Sequence, residues 1–190
     1  TIDRVEDAQP LARALVAGGL PALEITLRTA AAMEAIAAVA EVEGAMAGVG
    51  TLLTAAQIRG AKSAGATFGV SPGATETLIQ TARDYNLPLL PGAATATEAM
   101  RLLEQGFIFQ KFFPAEAAGG APALGSMAGP LPQITFCPTG GVTPKNAKTY
   151  LALPNTRCVG GSWIAPKALI DAGDWDQITQ IARRAADLLA

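Results

Sequence analysis

Lys111 sits in Phe107-Ile108-Phe109-Gln110-Lys111-Phe112-Phe113-Pro114, a run with the aromatic, apolar character of a strand. A charge inside a strand covered on both faces must be desolvated or find a partner. Desolvation favours an uncharged amine, and an uncharged amine attacks carbonyl carbon. An isolated strand-end lysine more often snorkels to water, so the reading depends on its company. The other four lysines, Lys62, Lys145, Lys148 and Lys167, lie in helix-like or loop-like stretches where a solvated ammonium is ordinary.

Leu23-Glu24-Ile25-Thr26-Leu27-Arg28 alternates with period two, which puts Leu23, Ile25 and Leu27 on one face and Glu24, Thr26 and Arg28 on the other. Glu24 and Arg28 would then lie about 13 Å apart along one extended strand. A carboxylate deep on that face is suited to moving protons, and a guanidinium near its end to holding an anion. A half-solvated antiparallel strand with a polar outer face is the competing explanation. Two glycine pairs follow later apolar runs: Pro138-Thr139-Gly140-Gly141 and Val159-Gly160-Gly161-Ser162-Trp163. Paired glycines let backbone N–H groups approach an anion closely, though each pair alone is also a common tight turn. Gly48-Val49-Gly50-Thr51 offers a hydroxyl at another strand end, where Thr51 is equally suited to capping a turn. Ser71-Pro72-Gly73 and Leu90-Pro91-Gly92 read as strand terminators.

Composition removes several classes. There is no histidine, which excludes a Ser-His-Asp triad and a His-ligated metal. A net charge of −2 with scattered basic residues gives no stripe for neutralising phosphates, so nucleic acid is not an expected partner. Cys137 and Cys158 sit singly in apolar runs and read as buried thiols. No stretch approaches the roughly 20 apolar residues of a membrane span and no signal-peptide pattern opens the chain. A cytoplasmic protein is expected.

Residues so placed need elements to hold them. Strand-like runs at Ala22–Leu27, Met46–Gly50, Thr67–Ser71, Pro88–Pro91, Phe107–Phe113, Ile134–Pro138 and Arg157–Gly161 alternate with helical patterns at Glu6–Ala17, Ala30–Val42, Ala55–Ala64, Glu76–Asn86, Ala96–Gln105, Asn146–Leu153 and Asp174–Leu189. Thr54, Thr75, Thr95 and Asp174 are candidate N-caps, and Gly18-Gly19 and Gly106 mark helix ends. Thr1-Ile2-Asp3 reads as the tail of an eighth strand, incomplete or missing in this chain. The 190 residues therefore predict one α/β domain, a small (β/α)8 barrel. No Gly-x-Gly-x-x-Gly follows the first strand, and the flavodoxin-like open sheet, the structural alternative, would need fewer units. In a barrel, Glu24, Thr26 and Arg28 face the interior, and the two glycine pairs follow strands seven and eight, where barrels often bind phosphate.

Taken together, Leu23-Glu24-Ile25-Thr26-Leu27-Arg28-Thr29, Gly48-Val49-Gly50-Thr51, Ser71-Pro72-Gly73, Lys111-Phe112-Phe113-Pro114-Ala115-Glu116, Phe136-Cys137-Pro138-Thr139-Gly140-Gly141 and Gly160-Gly161-Ser162-Trp163 resemble the bacterial 2-keto-3-deoxy-6-phosphogluconate (KDPG) and 4-hydroxy-2-oxoglutarate (KHG) aldolases. The resemblance spans nearly the whole chain. It implies a (β/α)8 barrel, a homotrimer, and a metal-independent, cofactor-free carbon–carbon lyase of the Entner–Doudoroff pathway. Its partners would be a small 2-keto acid and a phosphorylated aldehyde. It further implies Lys111 as the Schiff-base lysine and Glu24 as the acid–base group. Arg28 and Thr51 would hold the pyruvate carboxylate, Gly140, Gly141, Gly161 and Ser162 would receive the phosphate, and Phe113 and Pro91 would wall the pocket. The family also carries a leading helix and a complete first strand ahead of the position of Thr1; either such residues lie upstream of this sequence, or the barrel has two unpaired edges and an opened core. A non-catalytic barrel that binds a phosphorylated metabolite and a phosphosugar synthase are the rival functions.

Overall fold

Four helices begin where the sequence provides an oxygen to cap them. Thr54, Thr75 and Thr95 each accept a hydrogen bond at Oγ1, from the backbone N–H of Gln57, Leu78 and Glu98 (3.2, 3.2 and 3.3 Å). Asp174 does the same for Gln177 (3.1 Å). Each cap satisfies an N–H that the first turn leaves without a partner. At Thr54 and Thr95 the reciprocal bond from the third helical residue completes a capping box. In the computed structural model, which describes residues 1–189, these caps open α3 (Ala55–Ser63), α4 (Glu76–Asp84), α5 (Ala96–Glu104) and α9 (Trp175–Ala186). α1 (Ala8–Ala17) follows a 3-10 turn, Val5–Asp7, and α2 (Ala32–Ala40) and α7 (Ala147–Leu151) lie within the predicted helical stretches.

The strands pair in parallel and in chain order, as right-handed βα connections require. β1 (Ala22–Thr26), β2 (Met46–Gly50), β3 (Phe68–Val70) and β4 (Leu89–Leu90) form one sheet. β5 (Gly92–Ala93), β6 (Phe109–Phe112) and β7 (Thr135–Pro138) form the next. Pro91 lacks an N–H and so separates β4 from β5, yet its carbonyl accepts from Lys111 N (2.8 Å), which makes residues 89–93 one path joining both sheets. Bridges Phe136↔Thr156 and Thr139↔Gly160 add a seventh segment. This is the (β/α)8 barrel plan. The predicted strand Arg157–Gly161 is thus reduced to one isolated bridge at Gly160, with a second at Thr156 just before it.

Thr1-Ile2-Asp3 is not a strand. Its Ile2 carbonyl accepts from the Thr29 hydroxyl instead of a neighbouring strand, and the Ile2 side chain is buried in the core. Among the described residues no ladder joins β1 to the 156–160 segment. Two helices were not anticipated, α6 (Gly120–Ser126) and α8 (Lys167–Ala172). α6 reads Gly-Ala-Pro-Ala-Leu-Gly-Ser, poor in helix formers, and burial of Ala121 and Leu124 overrides that propensity.

Outward-facing residues of the strands meet the helices in two apolar layers. Leu23, Ile25 and Val49 pack with α1, α2 and α9, while Phe112 and Phe136 meet edge to face (6.3 Å, 76°) beside Leu124 and Tyr150. With those residues outside, their neighbours in sequence must face inward.

Candidate active site

The register places Lys111 level with Gly92 on one side and Cys137 on the other. Gln110 and Phe112, its neighbours, face the helices, where the Gln110 amide donates to the Ala99 carbonyl (3.0 Å). Lys111 therefore points into the barrel, and it is only 5% exposed. Glu24 arrives from β1 on the inward face, as the alternation predicts. Its Oε1 lies 3.6 Å from Lys111 Nζ, and its side chain retains 27% exposure. The Phe113 ring completes the setting, its centroid 5.0 Å from Nζ. Lys111 Nζ thus lies between a carboxylate and an aromatic face.

Two glycines create the room for this meeting. A Cβ at Gly50 would lie 2.1 Å from Glu24 Oε1, so the carboxylate occupies the space a side chain there would fill. A Cβ at Gly92 would lie 2.1 Å from the Pro72 carbonyl oxygen, so the Ser71-Pro72 corner closes directly over the strand beside Lys111. Sequence reasoning read Gly92 as part of a strand terminator and Gly50 only as the end of a strand. The usable signal was Gly48-Val49-Gly50, whose two glycines share one face of a strand and leave that face without side chains.

The remaining predicted residues lie at the rim. Register pairs Thr26 with Gly50, and Leu27 N donates to the Gly50 carbonyl (2.9 Å), so Arg28 and Thr51 follow the ends of adjacent strands. Arg28 is exposed, and among the described residues its guanidinium makes no hydrogen bond or ion pair. Thr51 is half-buried in the left-handed region (φ 60°), and the cap of the following helix is Thr54 rather than Thr51. Pro91 is buried behind Lys111. Gly140 and Gly141 have φ of 96° and 81°, backbone that a side chain would strain. A Cβ at Gly140 would also lie 3.2 Å from the Phe113 ring, which ties this turn to the lysine pocket. The Thr139↔Gly160 bridge sets Gly161 and Ser162 beside that turn. At Gly161 a Cβ would run into the Trp163 ring at 1.6 Å, so Trp163 packs over the loop.

Other polar groups lie near the site. Thr26 Oγ1 is buried on the face that carries Glu24 and has no hydrogen-bond partner among the described residues. Interaction with Cys158, and then burial, push the Cys137 thiol well up, while the interaction with Cys137 lowers Cys158. Burial, and then the Glu116 carboxylate, push the Tyr150 phenol above its ordinary range. Among the described residues no three His, Cys, Asp or Glu side chains cluster as metal ligands would, and no helix is long and apolar enough to cross a membrane.

An amine beside a carboxylate, enclosed in a parallel βα arc and opening towards two glycine turns, defines a class: barrel proteins equipped for imine chemistry on a carbonyl compound. A family model described as KDPG and KHG aldolase matches residues 1–181. The chain is 49% identical to a 2-dehydro-3-deoxy-phosphogluconate aldolase of Pseudoalteromonas atlantica, over 97% of this chain and 86% of that protein. It superposes with a TM-score of 0.93 on the KDPG aldolase of Legionella pneumophila holding pyruvate as a covalent carbinolamine, at 44% identity over 97% of this chain and 90% of the other. The Zymomonas mobilis enzyme with 3-phosphoglycerate gives a TM-score of 0.92 at 49% identity, covering 97% and 87%. The chain belongs to the KDPG and KHG aldolase family.

Proposed function

We propose that the chain is a Schiff-base aldolase that cleaves 2-dehydro-3-deoxy-6-phosphogluconate to pyruvate and glyceraldehyde 3-phosphate, and 4-hydroxy-2-oxoglutarate to pyruvate and glyoxylate. The observation that carries this is the buried Lys111 amine with Glu24 Oε1 at 3.6 Å. The Lys111 nitrogen attacks C2 of the keto acid, and loss of water gives a protonated imine. Glu24, directly or through water, takes the C4 hydroxyl proton. The C3–C4 bond then breaks, its electrons run into the imine to leave an enamine, and the aldehyde departs. Protonation of the enamine carbon and hydrolysis return pyruvate and the free lysine.

The rim residues supply orientation. Arg28 and Thr51 take the substrate carboxylate, which fixes C2 against the amine. Gly140, Gly141, Gly161 and Ser162 take the phosphate on backbone N–H groups and a hydroxyl. Phe113 and Pro91 wall the reacting carbon. Because the imine is the electron sink, this chemistry needs neither metal nor cofactor. We further infer that residues 1–190 act as one catalytic domain and that the protein works as a cytoplasmic homotrimer, as the family resemblance implies. Borohydride reduction in the presence of pyruvate tests the reading. Peptide mass mapping should find a reduced pyruvyl group on Lys111, and folded protein left unmodified at Lys111 would overturn it.

A further inference from the structure

The turn assigned to phosphate is held from outside by groups that make no part of the proposed chemistry. The loop after β6 is stitched to it by two backbone bonds: Ala115 N donates to the Thr139 carbonyl (2.8 Å) and Glu116 N to the Gly140 carbonyl (3.1 Å). The Glu116 side chain then crosses the turn. Its Cγ and Cβ lie 2.6 and 2.8 Å from where a Cβ on Gly141 would sit. Beyond the turn its carboxylate accepts a hydrogen bond from the hydroxyl of Tyr150, a residue of α7 with 0% exposure. One helical turn earlier, Asn146 donates to the Gly141 carbonyl (3.2 Å) and accepts from Thr143 N (2.7 Å). Positions 146 and 150 share a helix face, so one rigid element grips both sides of the turn.

This arrangement also answers an electrostatic difficulty. A carboxylate lying against a phosphate-binding turn would repel its ligand unless it is turned away and its charge is hydrogen-bonded. Tyr150, fixed in the core, does both. We propose that Glu116 and Tyr150 are positioning residues that hold the Gly140-Gly141 turn in its anion-receiving shape and so set the preference for phosphorylated over unphosphorylated substrate. This rests on the proposed reading of that turn. 4-Hydroxy-2-oxoglutarate is one carbon shorter and carries no phosphate, so its turnover should not feel the clamp.

The test compares wild type with Tyr150→Phe, Glu116→Ala and Glu116→Gln on both substrates, with pyruvate release coupled to lactate dehydrogenase. Tyr150→Phe and Glu116→Ala should raise KM for the phosphorylated acid about tenfold with kcat within about twofold, and leave both constants for 4-hydroxy-2-oxoglutarate within about twofold. Glu116→Gln should keep the wild-type KM or lower it, because its amide oxygen still accepts from Tyr150 and no charge faces the phosphate. Equal losses on both substrates, or no change on either, would overturn the proposal. A second measurement is independent of turnover: inorganic phosphate should raise the Tm of wild type, and raise it clearly less in Tyr150→Phe. Equal phosphate responses would overturn the clamp. Wild type that releases no pyruvate would refute the proposed activity, and the phosphate response would still decide the clamp.

Discussion

Gly50→Ala should disable the reaction through one methyl group. The added Cβ would lie 2.1 Å from Glu24 Oε1, 2.6 Å from its Cγ and 2.7 Å from its Cδ, whereas ordinary contact begins at 3.4 Å. Glu24 must therefore swing by roughly 1 Å or more, and a displacement of about that size in a reacting group costs on the order of 10²-fold. The expected result is a kcat about 10²-fold lower, equivalent to about 2.7 kcal/mol of barrier. Gly48→Ala is the matched control. It lies two residues earlier in β2, and the three atoms its Cβ would meet first belong to the Phe68 ring, at 2.1 to 2.5 Å, and not to the Glu24 carboxylate. Overpacking there should lower stability by about 1–3 kcal/mol, with kcat within about fivefold at temperatures where the variant is folded. Coupled pyruvate release, with thermal melts of both variants, provides the assay. A folded Gly50→Ala enzyme within fivefold of wild type would refute the reasoning, and so would a Gly48→Ala enzyme that loses as much activity.

Two further outcomes follow from the caps and the thiols. Thr95→Ala should cost about 1 kcal/mol in urea unfolding, because it removes the acceptor for Glu98 N. The reciprocal carboxylate gives the pH dependence: Glu98 is held below its ordinary 4.5, first by accepting from the Ala94 N–H. A depressed folded value stabilises above the unfolded one and is lost as pH falls through it. Wild type should therefore exceed Glu98→Gln in stability at neutral pH, with the gap closing as pH drops below 4.5; a gap that widens in acid would contradict this. In limited iodoacetamide labelling near pH 8, Cys158 should be alkylated before Cys137, whose thiol is raised by Cys158 and by burial. Peptide mapping that finds Cys137 modified first would reverse that ordering.

What the sequence discloses depends on whether a residue breaks a local expectation. Lys111 is conspicuous because a charge in an aromatic strand is costly, and Glu24 because period-two alternation assigns its face. Alternation fixes a direction and not a distance, so the 3.6 Å meeting of the two had to come from the fold. The capping threonines are readable because each lies three residues before the N–H it satisfies. Glu116 and Tyr150 are 34 residues apart and individually ordinary, an exposed acid and a core aromatic, so nothing local couples them. α6 stayed hidden because its composition argues against the helix that packing enforces.

The glycines show where such reading stops. Gly140 and Gly141 occupy the left-handed region, so their backbone alone demands glycine, and a Gly-Gly turn after a strand is a reasonable inference from sequence. Gly50 is not left-handed, and its backbone would accept alanine. It is glycine because the Glu24 carboxylate fills the space above it. The spacing Gly48-Val49-Gly50 hints at a face without side chains but not at what fills it, yet Gly50 controls the distance between the proposed proton shuttle and the proposed nucleophile. Positions of this kind should therefore tolerate substitution in folding assays and fail in turnover, whereas Gly140 and Gly141 should fail in both. That contrast separates space kept for chemistry from space the backbone needs.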